Sequence, residues 1–253
     1  MYRCTSALQT MLHVLLILMS YILSCNAFLD SSQLVPPLAT DQYRWTRRYA
    51  IKITGNGPKA DFLESLDHPY NLNTHNPTRS NLLQKLVEYG STPGGSNLSK
   101  PGKTFPSVAE GSWKVVYAPH MTTFANLLKG EFEVQYNLKN GGTMSSHARY
   151  RFPVFSLWGY LSVSGTYGTV NDHVCRVDFN EAWVRSFDND SFVSGPYPDI
   201  DSVPASLWKE LIRKIGNAMF IEPFAVFPIA YLDSELIIFD FELFGTRICA
   251  RKE

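Results

Sequence analysis

The chain has 253 residues, enough for one barrel- or sandwich-sized domain with a leader, or for two small domains. Its 23 Lys and Arg balance 23 Asp and Glu, so bulk electrostatics gives no case for a nucleic-acid partner. Aromatic residues make up 13% of the chain, which suits rings filling a β-rich core or rings lining an apolar cavity.

The N-terminus reads as a targeting region. Arg3 supplies a weak positive start, and Met11–Leu23 is an apolar run shorter than the roughly 20 residues a bilayer span needs. Cys25-Asn26-Ala27 offers small residues before a cut, so residues 1–27 are expected to be a signal peptide; an uncleaved anchor is the alternative. Residues 28–60 carry Arg44, Arg47, Arg48, Lys52 and Lys59 among hydroxylated residues and few acids, the composition of a transit peptide. A secreted protein with a basic arm competes with that reading, and would make Asn97-Leu98-Ser99 and Asn189-Asp190-Ser191 glycan acceptors.

Residues 61–104 are expected to be a helical segment followed by a Gly- and Pro-rich linker. Asn81–Tyr89 has apolar residues at helical spacing, Asn76 or Ser80 can cap its start, and Gly90 ends it. Residues 90–107 hold enough Gly and Pro to predict a flexible connector.

From residue 105 to 253 the period becomes that of strands. Gly111 allows a sharp turn into Trp113–Ala118, where Trp113, Val115 and Tyr117 share one face until Pro119 stops the run. Phe124–Gly130 suits a short helical turn. Glu131–Lys139 alternates Phe132, Val134 and Tyr136 against Glu131, Glu133 and Gln135, and Asn140-Gly141-Gly142 predicts a hairpin. Met144–Phe152 sets Ala148, Tyr150 and Phe152 opposite His147, Arg149 and Arg151.

Phe155–Tyr167 carries Leu157, Gly159, Leu161, Val163 and Gly165 in one row, its glycines predicting bends or close approach at a barrel wall. His173–Phe187 carries Cys175, Val177 and Phe179 before Trp183. Asp188–Pro204 is a polar loop, and residues 205–219 form an amphipathic helix with Leu207, Leu211, Ile215 and Met219 on one stripe. That helix is either a lid, a membrane-facing element or a cap. Ala225–Leu232, Leu236–Phe241 and Phe244–Ala250 close the chain as strands. Sequential strands with short turns predict a mainly β fold, an up-and-down antiparallel barrel that removes its edges by closing.

Gly111-Ser112-Trp113-Lys114-Val115-Val116-Tyr117, Cys175-Arg176-Val177-Asp178-Phe179 and Tyr231-Leu232-Asp233-Ser234-Glu235-Leu236 together resemble the motif series of plastid lipid-associated proteins of the PAP/fibrillin type. The resemblance covers about residues 80–253. It implies a lipocalin-like barrel and a non-enzymatic plastid protein, at thylakoids or plastoglobules, that binds or organises prenyl lipids, carotenoids or other apolar metabolites. Ile237 stands where that family carries an arginine, and Gly245-Thr246-Arg247-Ile248 replaces the missing charge only in part. In lipocalin-like barrels a basic side chain of the last strand lies over the opening tryptophan, and Arg247 is the candidate for that contact with Trp113.

A carrier needs an apolar cavity with few polar groups. Candidate lining residues are Trp113, Val115, Tyr117, Val134, Tyr136, Tyr150, Phe152, Leu161, Val177 and Phe179, unless these simply fill the barrel. Asp233 is either a polar determinant of the cavity or the start of a turn. The expected partner is an apolar small molecule or lipid, with a peripheral membrane or lipid-droplet surface and no nucleic acid. No metal spacing, nucleophile elbow or phosphate loop occurs, so no cofactor is expected. An isomerising or cyclising enzyme built on the same cavity is the alternative, and it requires Asp178 or Asp233 to point inward. Cys175 and Cys249 pair if their strands adjoin, or remain free thiols.

Overall fold

A computed structural model describes residues 57–66, 77–92, 101–127, 129–153, 157–187, 195–204, 225–241 and 245–253. The signal-peptide region, most of the transit-like segment, both glycan motifs and the helix expected at 205–219 lie outside the described residues. Eight strands form one closed antiparallel barrel in sequence order: β1 (Gly111–Tyr117), β2 (Glu131–Lys139), β3 (Thr143–Phe152), β4 (Leu157–Asn171), β5 (Val174–Phe187), β6 (Val226–Leu232), β7 (Leu236–Phe241) and β8 (Thr246–Lys252). Each strand pairs with its sequence neighbour, and β8 returns to β1 with Trp113 opposite Lys252. The fold is mainly β and lipocalin-like: the barrel closes through β8 and β1, and among the described residues β5 pairs with β6 only over Val174–Arg176.

Strand alternation assigns the two faces. Phe132, Val134, Tyr136 and Leu138 of β2 point inward with Met144 and Ala148 of β3, while Glu131, Glu133 and Gln135 point out. Bulges break the alternation where it matters. One lies between Val115 and Tyr117, so Val115 belongs to the interior cluster and Tyr117 to the exterior one. A second lies between Ile229 and Tyr231, and it turns Tyr231 outward while Ile229 and Leu232 stay inside.

Among the described residues four short helices dress the barrel: α1 (Pro58–Glu64), α2 (Pro77–Gly90), α3 (Pro101–Val108) and α4 (Pro119–Leu127). Phe62, Leu63 and Leu66 from α1 and its end, with Leu83 and Leu86 from α2, cover the outer face of β1, β6, β7 and β8. There they meet Val116, Tyr231, Leu236, Ile238 and Cys249. Pro58–Ala60, which composition assigns to the transit-like stretch, thus open a helix of the barrel's coat. Contacts gather Ile53–Glu253 into one compact unit.

The expected flexible connector is corrected at its C-terminal end. Residues 101–108 are helical because Pro101 occupies a first-turn position, where its missing N–H costs nothing. The Gly102 amide donates to the Asp172 carbonyl at 2.7 Å, and a Cβ on Gly102 would collide with the Asn171 carbonyl. The helix therefore sits hard against the β4–β5 turn, and Phe105 enters the barrel. The expected turn at 124–130 begins earlier, at Pro119.

Cys175 belongs to the interior cluster and Cys249 to the exterior one, and both are free thiols on strands that do not adjoin. Residues 195–204 are more than the expected polar loop, since Trp183 donates its indole N–H to the Tyr197 carbonyl at 3.0 Å and Arg185 stacks on the Tyr197 ring.

Candidate functional site

One end of the barrel is sealed. Phe105 stands edge-on to Tyr167 and to Phe239, with ring centroids 5.8 and 6.0 Å away. Trp113 lies beside it and donates its indole N–H to the Ala109 carbonyl at 2.6 Å. Lys252 covers the indole with its ammonium 5.2 Å from the ring centroid, and donates to the Val108 carbonyl at 3.0 Å. Gly111 turns into β1 with φ 128°, and a Cβ there would stand 2.8 Å from the Lys252 chain. A tryptophan, a lysine and the end of α3 make a single plug.

Arg247 is not part of that plug. Register sets Trp113 opposite Lys252, and alternation from inward Ile248 turns Arg247 outward. Its Nε donates instead to Asp240 at 2.7 Å, and Nη1 donates to Gln84. Ile237, the position where the resembled family has arginine, is 1% exposed inside the barrel, where a guanidinium would need a buried partner.

Trp113, Val115, Val134, Tyr150 and Phe152 are buried. Tyr150 and Phe152 stack at 5.7 Å, and Gly159 makes room for the Tyr150 ring, whose hydroxyl stands 2.5 Å from where a Cβ would be. Other interior residues are not sealed. Tyr136, Val177 and Phe179, with Phe132, Ala148, Phe227 and Phe239, pack on the interior cluster yet keep accessible surface, as does Leu161 opposite inward Ala148. Burial pushes the Tyr136 hydroxyl up to about 12, so it stays a neutral O–H at ordinary pH.

Two candidates lie elsewhere. Tyr117 packs outside the barrel, edge-on to Phe62 at 6.4 Å, because the β1 bulge inverts its direction. Asp233 organises the β6–β7 turn: one oxygen accepts from the Glu235 and Leu236 amides at 2.7 Å, the other from Lys59 and the Tyr231 hydroxyl at 2.8 Å. Burial alone would raise its carboxyl, but these four donors outweigh it and hold the group below its ordinary value. Asp178 is exposed and chelated by Arg176 at 2.8–2.9 Å.

At the other end, α4 brings Met121 onto the interior cluster and His120 edge-on to Phe241 at 5.1 Å. Burial lowers His120 to about 4, so it is neutral at ordinary pH. Phe227 stacks on Phe241 at 5.8 Å. Phe105, Phe132, Phe227, Phe239 and Lys252 are absent from the sequence-derived set. Parity with Val134 and Ile237 could have found Phe132 and Phe239; Lys252 required the β1–β8 register.

Among the described residues no group of His, Cys, Asp and Glu is placed to hold a metal, and no helix is long and apolar enough to cross a membrane. No family model and no curated protein matches this chain.

Proposed function

We propose that the protein is a non-enzymatic container for an apolar metabolite, such as a prenyl lipid or carotenoid, of the plastid lipid-associated kind its motifs resemble. One observation carries the reading: a barrel plugged at one end has inward rings that remain accessible. Aromatic and aliphatic walls with an occasional phenol suit a hydrocarbon body, whose burial is favourable by about 25 cal/mol per Å². The cellular half rests on the N-terminal composition, and its setting is a thylakoid or lipid-droplet surface in a plastid.

An isomerase reading is not favoured, because Asp178 and Asp233, its candidate acids, both stand outside the barrel. Lipid extracted from purified protein should contain prenyl lipid or pigment above the level in Val177→Phe, which fills the interior. Equal yields from both proteins would remove the container reading. A fluorescent fusion keeping the native N-terminus should enter plastids; secretion, with glycan on Asn97 or Asn189, would replace that half.

A further inference from the structure

Outside the barrel, α2 and the ends of β7 and β8 enclose an open groove of about 550 Å3, within the roughly 300–1,000 Å3 of small-molecule sites. Leu83, Pro119 and Phe241 give it an apolar floor; Leu83 and Phe241 are themselves buried. Polar groups stand around that floor. Arg247 crosses from β8 toward α2, held by Asp240 on one side and Gln84 on the other. Among the described residues its Nη2 has no acceptor, and the hydroxyls of Ser80 and Tyr117 make no hydrogen bond.

We propose that this groove binds an uncharged, oxygen-bearing amphiphile, its carbonyl seated by Arg247, Tyr117 and Ser80 and its chain lying on Leu83, Pro119 and Phe241. Three donors facing one apolar floor call for an acceptor. The charge of that acceptor follows from the lining. Arg247 and Asp240 cancel at 2.7 Å, so an ester or ketone gains donors at no electrostatic penalty, whereas a carboxylate must also face Asp240. The groove meets the interior cluster at Phe241, while Tyr117, Asp240 and Arg247 face outward.

The test is photo-crosslinking of the full chain with the methyl ester of a diazirine-bearing decanoic acid, and with the free acid, followed by peptide mapping. The ester should label peptides carrying α2 and the adjoining ends of β7 and β8 at least tenfold more than the acid. Ser80→Trp, which fills the groove from an exposed helix position, should reduce that labelling at least fivefold without lowering the melting temperature. Label confined to inward strands, or groove labelling by the acid equal to the ester's, would overturn the proposal while leaving the container reading untouched. Groove labelling that survives in a folded Ser80→Trp protein would overturn it too.

Discussion

Lys252 shows what a single residue contributes when the register gives it a ring to cover. A cation over a partly shielded indole is worth about 1 kcal/mol, and Lys252 adds a hydrogen bond that ties β8 to the end of α3. Lys252→Ala should therefore lower unfolding stability by about 1–2 kcal/mol in denaturant titration. Arg247→Ala removes a surface ion pair and should cost under about 1 kcal/mol. The reverse ranking would show that the plug is not where Trp113 draws its support. Neither residue could be chosen from sequence. Both are basic, both sit in the last strand, and only pairing with β1 separates the one that faces Trp113 from the one that faces away. Tyr117 taught the same lesson in the opposite sense, since its row with Trp113 and Val115 was visible but the bulge was not.

At the scale of elements, the strands and the helix over Asn81–Tyr89 were legible, the turn near Phe124 was read only in part, and the helix that plugs the barrel was not. Glu131–Lys139 and Leu236–Phe241 emerge with the bounds that alternation predicts, because each strand has one wet and one dry face. The helix Pro101–Val108 was hidden by its Gly and Pro content, although Phe105, Val108 and Ala109 already stood at helical spacing. Phe105→Ala should cost about 3–5 kcal/mol, more than the Lys252 change, because it empties the ring that stops the barrel.

The helix α1 is fastened differently. Lys59 bridges Asp233 at 2.8 Å and Glu235 at 2.9 Å, and Arg251 joins Glu235 at 2.9 Å. For both carboxyls burial pulls upward, yet their cationic and amide donors hold them below the ordinary 3.8 and 4.5; burial likewise works against Lys59, yet its partners raise it above 10.5. The carboxylates stabilise the fold above their ordinary values, and that contribution is lost as pH falls through the depressed ones. The lysine's contribution is complete below 10.5 and is lost as pH rises through its raised value. Thermal melts should thus be flat across neutral pH and fall at both extremes. Asp233→Ala should lower the neutral plateau by about 2 kcal/mol and shrink the acid fall; an unchanged acid limb would assign it to other groups.

For the molecule as a whole, fold class was within reach of the sequence because eight amphipathic runs in order have few ways to bury one face each. Which residues face inward was reached only in part. Parity groups residues by face, but which rings keep accessible surface depends on curvature and on Phe105, neither of which leaves a local pattern. The division of the two cysteines has a use of its own. Both thiols are pushed up by burial, Cys175 to about 12, so neither reacts until its surroundings part. Cys175 reports breathing of the strands and Cys249 reports lifting of the helical coat. With Cys4 and Cys25 replaced, alkylation should proceed in two phases, one per sulfur, and a guest molecule inside should slow only the Cys175 phase. The chain thereby carries two built-in clocks, one for its vessel and one for its wrapping.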